Sequence, residues 1–204
     1  MERIFKKHKV CAILRGLPGR VCLSYAQAAY QGGIRIFEVA MNSENPIRQI
    51  ETLKNNLGKD AIVGAGTVTT LERCKMATAA GAAFFLTPSV SEPVLEYCRR
   101  HDIKLLPGVV TPSDVSRCLE YGYRTMKLFP AGELPLSYVK SLKGPFDGTE
   151  YVAVGGVKGD NILSFMKSGF IGVGIGKGLL PEAYWKKGMW EEASEFVREM
   201  LSGV

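Results

Sequence analysis

The 204 residues carry 26 Lys and Arg against 20 Asp and Glu, a formal net charge of +6, and 46% of them are hydrophobic. That length suffices for one well-buried domain over residues 1–204, with no Pro/Gly/Ser-rich linker or charge block to divide it. No apolar run approaches the roughly 20 residues that cross a bilayer, the N-terminus lacks a signal-peptide pattern, and the basic residues are dispersed. The expectation is therefore a cytoplasmic protein with an anionic small-molecule partner, no membrane partner and no nucleic-acid partner.

From Val10 onward, short β-rich runs alternate with segments of helical periodicity. The predicted strands are Val10–Leu14, Ile34–Met41, Ala61–Val63, Ala83–Leu86, Ile103–Leu106, Thr125–Phe129, Tyr151–Val154 and Ile171–Ile175. Predicted helices follow them at Arg20–Gln31, Pro46–Leu57, Leu71–Ala80, Ser91–His101, Pro112–Tyr121, Ser137–Leu142, Asp160–Lys167 and Trp190–Leu201. Glycines recur where helices hand over to strands, at Gly32, Gly33, Gly81, Gly122 and Gly169, as left-handed C-terminal caps require. Eight strands alternating with eight helices make the fold class α/β, a single-domain (β/α)8 TIM barrel. At 204 residues its loops must be compact, and an open doubly wound sheet is the alternative.

Function in a barrel collects at the C-terminal ends of the strands, and polar residues and glycines gather there. Arg15 follows the first strand, Thr67 the third, Pro88 the fourth, Gly155 and Gly156 the seventh, and Gly176 and Lys177 the eighth. Within strands, Lys127 interrupts the apolar run RTMKLFPA and Glu38 interrupts IRIFEVAM. The period of two puts Ile36, Glu38 and Ala40 on one face, and Lys127 opposite to Met126 and Leu128. If the larger apolar set faces the helices, both charged groups point into the barrel. A desolvated lysine beside a carboxyl group is the minimum equipment for imine chemistry: the amine attacks a carbonyl and the acid moves protons. Either residue alone reads equally as structural, Lys127 by laying its stem on apolar surface and Glu38 by pairing with Arg35 or Lys127.

The glycines after the last two strands leave backbone N–H groups free to meet a phosphate, with Lys177 adding charge, although glycine pairs also serve as plain turns. Thr67 offers a hydroxyl that could hold a carboxylate or cap the next helix, and Arg15 suits an anion. The five cysteines include no CxxC pair, and His8 and His101 are not placed to complete a metal site. Reduced structural thiols, with no metal and no other cofactor, are expected.

The segments AILRG, FEVAMNS, IVGAGTV, FLTP, LLPGV, MKLFPA and AVGGV, spread from about Val10 to Leu180, resemble those of the 2-keto-3-deoxy-6-phosphogluconate / 2-keto-4-hydroxyglutarate aldolase family. The resemblance implies a class I aldolase on a (β/α)8 barrel. Lys127 would form the Schiff base with the pyruvyl carbonyl, Glu38 would serve as general acid/base, Thr67 would belong to the carboxylate site, and Gly156 and Gly176 to the phosphate site. Pro88, in FLTP, and Phe129, beside Lys127 in MKLFPA, join Arg15, Gly155 and Lys177 as substrate-binding candidates. The implied reaction is reversible cleavage of a 2-keto-3-deoxy-6-phospho sugar acid to pyruvate and D-glyceraldehyde 3-phosphate, with 4-hydroxy-2-oxoglutarate as a further substrate, in a homotrimer. Two departures stand out: Asn42 and Ser43 follow Glu38 as in the phosphogalactonate-type branch, and Lys177 stands where that branch has serine. The competing functions on this barrel are a sugar-phosphate epimerase or isomerase, and a phosphosugar-binding protein without catalysis.

Overall fold

A computed structural model describes residues 1–204. All strand pairings are parallel, and they run in the order β5-β4-β3-β2-β1-β9-β8-β7-β6. In sequence these strands are β1 Val10–Leu14, β2 Ile36–Ala40, β3 Ile62–Gly66, β4 Phe85–Leu86, β5 Leu105–Leu106, β6 Gly108–Val109, β7 Thr125–Leu128, β8 Glu150–Val154 and β9 Gly172–Ile175. The ninth strand arises because the chain resumes pairing past the predicted end of the fifth strand, Ile103–Leu106, as β6, interrupted at Pro107, which has no N–H to give to a ladder. One half, β5, pairs back to β4, and the other, β6, pairs forward to β7, while the Pro107 carbonyl accepts from Lys127 N–H at 2.8 Å. Eight strand positions therefore close into a barrel, and the open-sheet alternative is excluded.

Helices α2 Gly19–Gln31, α3 Pro46–Asn56, α4 Leu71–Ala79, α5 Glu92–Arg100, α6 Pro112–Glu120, α7 Tyr138–Lys143 and α8 Ile162–Ser168 link successive strands on the outside. Glycines 33, 81, 122 and 169, each just beyond one of these helices, have φ between 73° and 116°, the left-handed region expected of such caps. Two helices were not predicted. One is α1, Glu2–His8, ahead of the first strand, with only Phe5 buried; the other is α9, Glu182–Lys187, before the terminal α10, Trp190–Leu201. Seven and six residues are too few to display a helical stripe.

Two apolar clusters follow from strand alternation. Outward residues such as Phe37, Val39, Met126 and Leu128 pack under the helices, whereas Cys11, Ile36, Phe84, Leu86, Leu106, Val152 and Val154 fill the interior with Phe5. Phe5 is fully buried and lies so near Gly172 that a Cβ there would come within 2.7 Å of its ring. The short helix α1 thus brings its one buried side chain into the interior cluster, and the polar loops occupy the strands' C-terminal ends.

The third strand runs past its predicted end at Val63 to Gly66, so the glycines read as loop lie in the barrel wall. Both face inward. A Cβ on Gly64 would sit 2.6 Å from the Phe84 ring, and one on Gly66 would sit 1.4 Å from Glu38 Oε1. No helix of the chain is long and apolar enough to cross a membrane.

Candidate active site

Register fixes the two charged residues. Glu38 on β2 stands level with Ile13 on β1 and Gly64 on β3, and Lys127 on β7 stands level with Gly108 on β6 and Val152 on β8. Both turn inward, with only 1% of Glu38 and 4% of Lys127 exposed. Burial of that degree is costly for an ion lacking a close partner, so each group moves toward its neutral form. Desolvation pushes the Glu38 carboxyl above its ordinary value, with the opposing pull of Lys127 second and Arg15 third. Desolvation likewise holds the Lys127 amine below its ordinary value, outweighing Glu38, while Arg15 lowers it further. Arg35, one candidate partner for Glu38, instead bonds Asp60 through Nε at 2.6 Å. Glu38 Oε2 has no hydrogen-bond partner. The Lys127 Nζ sits 4.8 Å from the centre of the Phe129 ring, which adds apolar surface against it.

Lys127 and Glu38 open into a cavity of about 430 Å³, within the size range of small-ligand sites, lined also by Ile13, Arg15, Phe129 and Val154. Gly155, Gly156, Gly176 and Lys177 line it too, and so do Gly174, Lys158 and Gly178. Gly155 and Gly156 have φ of 89° and 73°, and Gly156 lies so close to Gly132 that a Cβ would fall 2.8 Å from its Cα. Gly132 N–H in turn donates to the Gly155 carbonyl at 2.8 Å, which pins the loop after β8 to the turn that follows Phe129. Glycine is therefore required here by both conformation and contact.

Arg15 Nη2 donates to Thr67 Oγ1 at 2.9 Å, so Thr67 reaches the site through Arg15 rather than lining the cavity itself. The alternative of a helix cap falls to Thr70, whose side chain accepts from Arg73 N–H at the start of α4. Thr67 has φ +56°, a conformation a β-branched residue adopts only at a cost of about 1–3 kcal/mol. Ser43 Oγ accepts from Gly16 N–H at 3.3 Å and so ties the loop after β2 to the Arg15 loop. Pro88 is absent from the cavity wall. Its backbone, with that of Thr87, lies against Gly108, where a Cβ would come within 2.5 Å.

Lys158 was missed in the sequence. It follows the glycine pair in AVGGVKGD, and a lysine four residues after a strand end is indistinguishable from a solvated loop charge until the chain is folded. A separate cleft of about 410 Å³ between α2 and α3, lined by Arg20, Glu44, Arg48 and Gln49 among others, contains neither the amine nor the carboxyl group. No group of three or more His, Cys, Asp or Glu side chains lies close enough to hold a metal ion, and all five cysteines are buried and free.

A strand lysine and a strand carboxyl group, both inward and both shifted by burial toward their neutral forms, are the equipment that imine formation requires. The family model for KDPG and KHG aldolase matches residues 1–196. The chain belongs to this family. Among KDPG/KHG aldolase relatives, the 2-dehydro-3-deoxy-phosphogluconate aldolase of Pseudoalteromonas atlantica is 28% identical over 100% of this chain and 94% of its own. The 2-dehydro-3-deoxy-6-phosphogalactonate aldolase of Escherichia coli is also 28% identical, over 97% of each. Among solved structures, the KDPG aldolase of Legionella pneumophila superposes with a TM-score of 0.88 at 28% identity, covering 98% of this chain and 97% of its own. That structure holds pyruvate captured as a covalent carbinolamine intermediate. The chain is thus a class I aldolase, a carbon–carbon lyase.

Proposed function

We propose that this chain reversibly cleaves a 2-keto-3-deoxy-6-phospho sugar acid to pyruvate and D-glyceraldehyde 3-phosphate, with Lys127 as the imine-forming amine and Glu38 as the proton-transfer group. The observation that carries it is the buried pair itself, since burial shifts each group toward the neutral form that the first step uses. Neutral Lys127 attacks the C2 ketone, and the protonated Glu38 carboxyl gives its proton to the departing hydroxyl as the carbinolamine loses water. A neutral amine and a neutral acid thereby become an iminium cation and a carboxylate, and the net charge of the buried pair stays zero. The carboxylate then takes the C4 hydroxyl proton while the C3–C4 bonding electrons flow to the iminium nitrogen. D-glyceraldehyde 3-phosphate leaves, Glu38 returns the proton to C3 of the enamine, and hydrolysis frees pyruvate and restores the amine.

Arg15, braced by Thr67, orients the anionic substrate. The backbone at Gly155, Gly156 and Gly176, with Lys177, receives the phosphate, and Phe129 excludes water from the amine. The likeness of the Asn42–Ser43 pair to the phosphogalactonate-type branch makes that epimer the preferred substrate in this reading, and Ser43 also ties the Arg15 loop to the loop after β2. Homotrimer assembly and a cytoplasmic location belong to the same reading through the family resemblance. The test is a cleavage assay on the two 6-phospho epimers with pyruvate detection. Release of pyruvate from at least one, faster from the galactonate epimer, is expected; release from neither contradicts the assignment.

A further inference from the structure

Three cations stand at the mouth of the catalytic cavity: Arg15, Lys158 and Lys177. The one carboxyl group in the same wall, Glu38, is buried and shifted toward its neutral form, which lessens its offset of their charge. Lys177 is 4.0 Å from Glu182 and is partly answered by it. Lys158 lacks any carboxylate within ion-pair distance, and neither does its position come from chance packing. Its backbone N–H donates to Asn161 Oδ1 at 2.9 Å, and Asn161 Nδ2 donates to the Gly156 carbonyl at 3.0 Å. Asn161 thereby couples Lys158 to the glycine loop. Its stem reaches toward the other glycine loop: a Cβ on Gly178 would be 3.5 Å from Lys158 Cγ.

From this placement we infer that Lys158 is a specificity-determining residue, pairing with the distal phosphate of the substrate between the two glycine loops and favouring phosphorylated over shorter dicarboxylate substrates. The inference rests on the aldolase reading above and adds to it the selection of substrate by charge. A 6-phospho keto acid brings about three negative charges at pH 7, one on the carboxylate and close to two on the phosphate, against the three cations. A keto dicarboxylate brings only two and is shorter. An exposed cation contributes through a screened Coulomb interaction, so its effect weakens with salt, and it acts on the dianion more than on the monoanion.

The test compares wild type with Lys158→Ala and Lys158→Arg. Because the side chain is exposed and the bond to Asn161 uses the backbone, both variants are expected to keep the wild-type melting temperature. For the phosphorylated substrate at low salt, Lys158→Ala is expected to raise KM about tenfold with kcat within about twofold, and the gap is expected to close at 0.5 M salt as the Debye length falls to a few ångström. Lys158→Arg should recover most of the loss. The pyruvate concentration giving half-maximal borohydride trapping should not change, because pyruvate carries no distal anion. An unchanged KM for the phosphorylated substrate, or an equal rise in the pyruvate half-point, overturns the role of Lys158. If wild type cleaves neither phosphorylated epimer, it is the aldolase substrate assignment that fails instead.

Discussion

Lys127 and Glu38, in the roles proposed for them, illustrate a general cost: a group that burial shifts toward its neutral form is destabilising wherever the unfolded chain would let it ionise. Burial lowers the amine from its ordinary 10.5, so between the lowered value and 10.5 the unfolded chain holds a proton that the folded chain does not. Stability attributable to Lys127 therefore rises with pH across that window, and below it the penalty is complete. Replacing Lys127 with Met should abolish turnover, by more than about 10⁴-fold, yet raise the melting temperature at pH 7. Comparing Glu38→Gln with the double variant Glu38→Gln/Lys127→Met removes titration of the carboxyl group. The stabilisation by Met should then shrink as pH approaches 10.5. A Met variant less stable than its parent at pH 7 would mean that the ammonium is well solvated in the fold. The carboxyl group has the opposite sign: raised above 4.5, it makes the folded chain bind the extra proton, so its contribution falls as pH rises through the raised value.

At the scale of elements, the strands make room for those two side chains by what they omit. Gly66 is the clearest case, since its absent Cβ is the space that the Glu38 carboxyl occupies. Gly66→Ala should cost about 1–3 kcal/mol of stability by overpacking and lower kcat by about 10²-fold or more, because Glu38 must leave its position. Urea unfolding and steady-state kinetics on the folded protein read the two effects separately; a fully active Gly66→Ala enzyme would show that the carboxyl position is not decisive. Strand alternation in IRIFEVAM and RTMKLFPA was enough to place both charged groups inside, because the period of two survives without knowledge of neighbours. The status of Gly64–Gly66 was not readable, since glycine lacks the side chain that marks a strand and its reason lies on other elements, at Phe84 and Glu38. The break at Pro107 was likewise hidden. LLPGV shows a proline, but not that the two halves pair with different neighbours.

For the molecule as a whole, the barrel separates stability from chemistry along its axis. Phe5 and the interior apolar residues fill it, while the loops after β1, β8 and β9 bring Arg15, Lys158 and Lys177 to the cavity. Sequence pattern revealed the alternation of strands and helices and the loops that carry most of the site. It did not reveal that Thr67 bonds Arg15 instead of lining the cavity, or that Lys158 joins the cavity, because both depend on distances between segments far apart in the chain. The most direct measurement is borohydride reduction in the presence of pyruvate, followed by peptide mass analysis. A stable pyruvate-derived mass increase on Lys127, absent without pyruvate and absent in Lys127→Met, is the expected result. The same adduct on another lysine, or its absence under conditions in which the enzyme turns over, would contradict imine formation at Lys127.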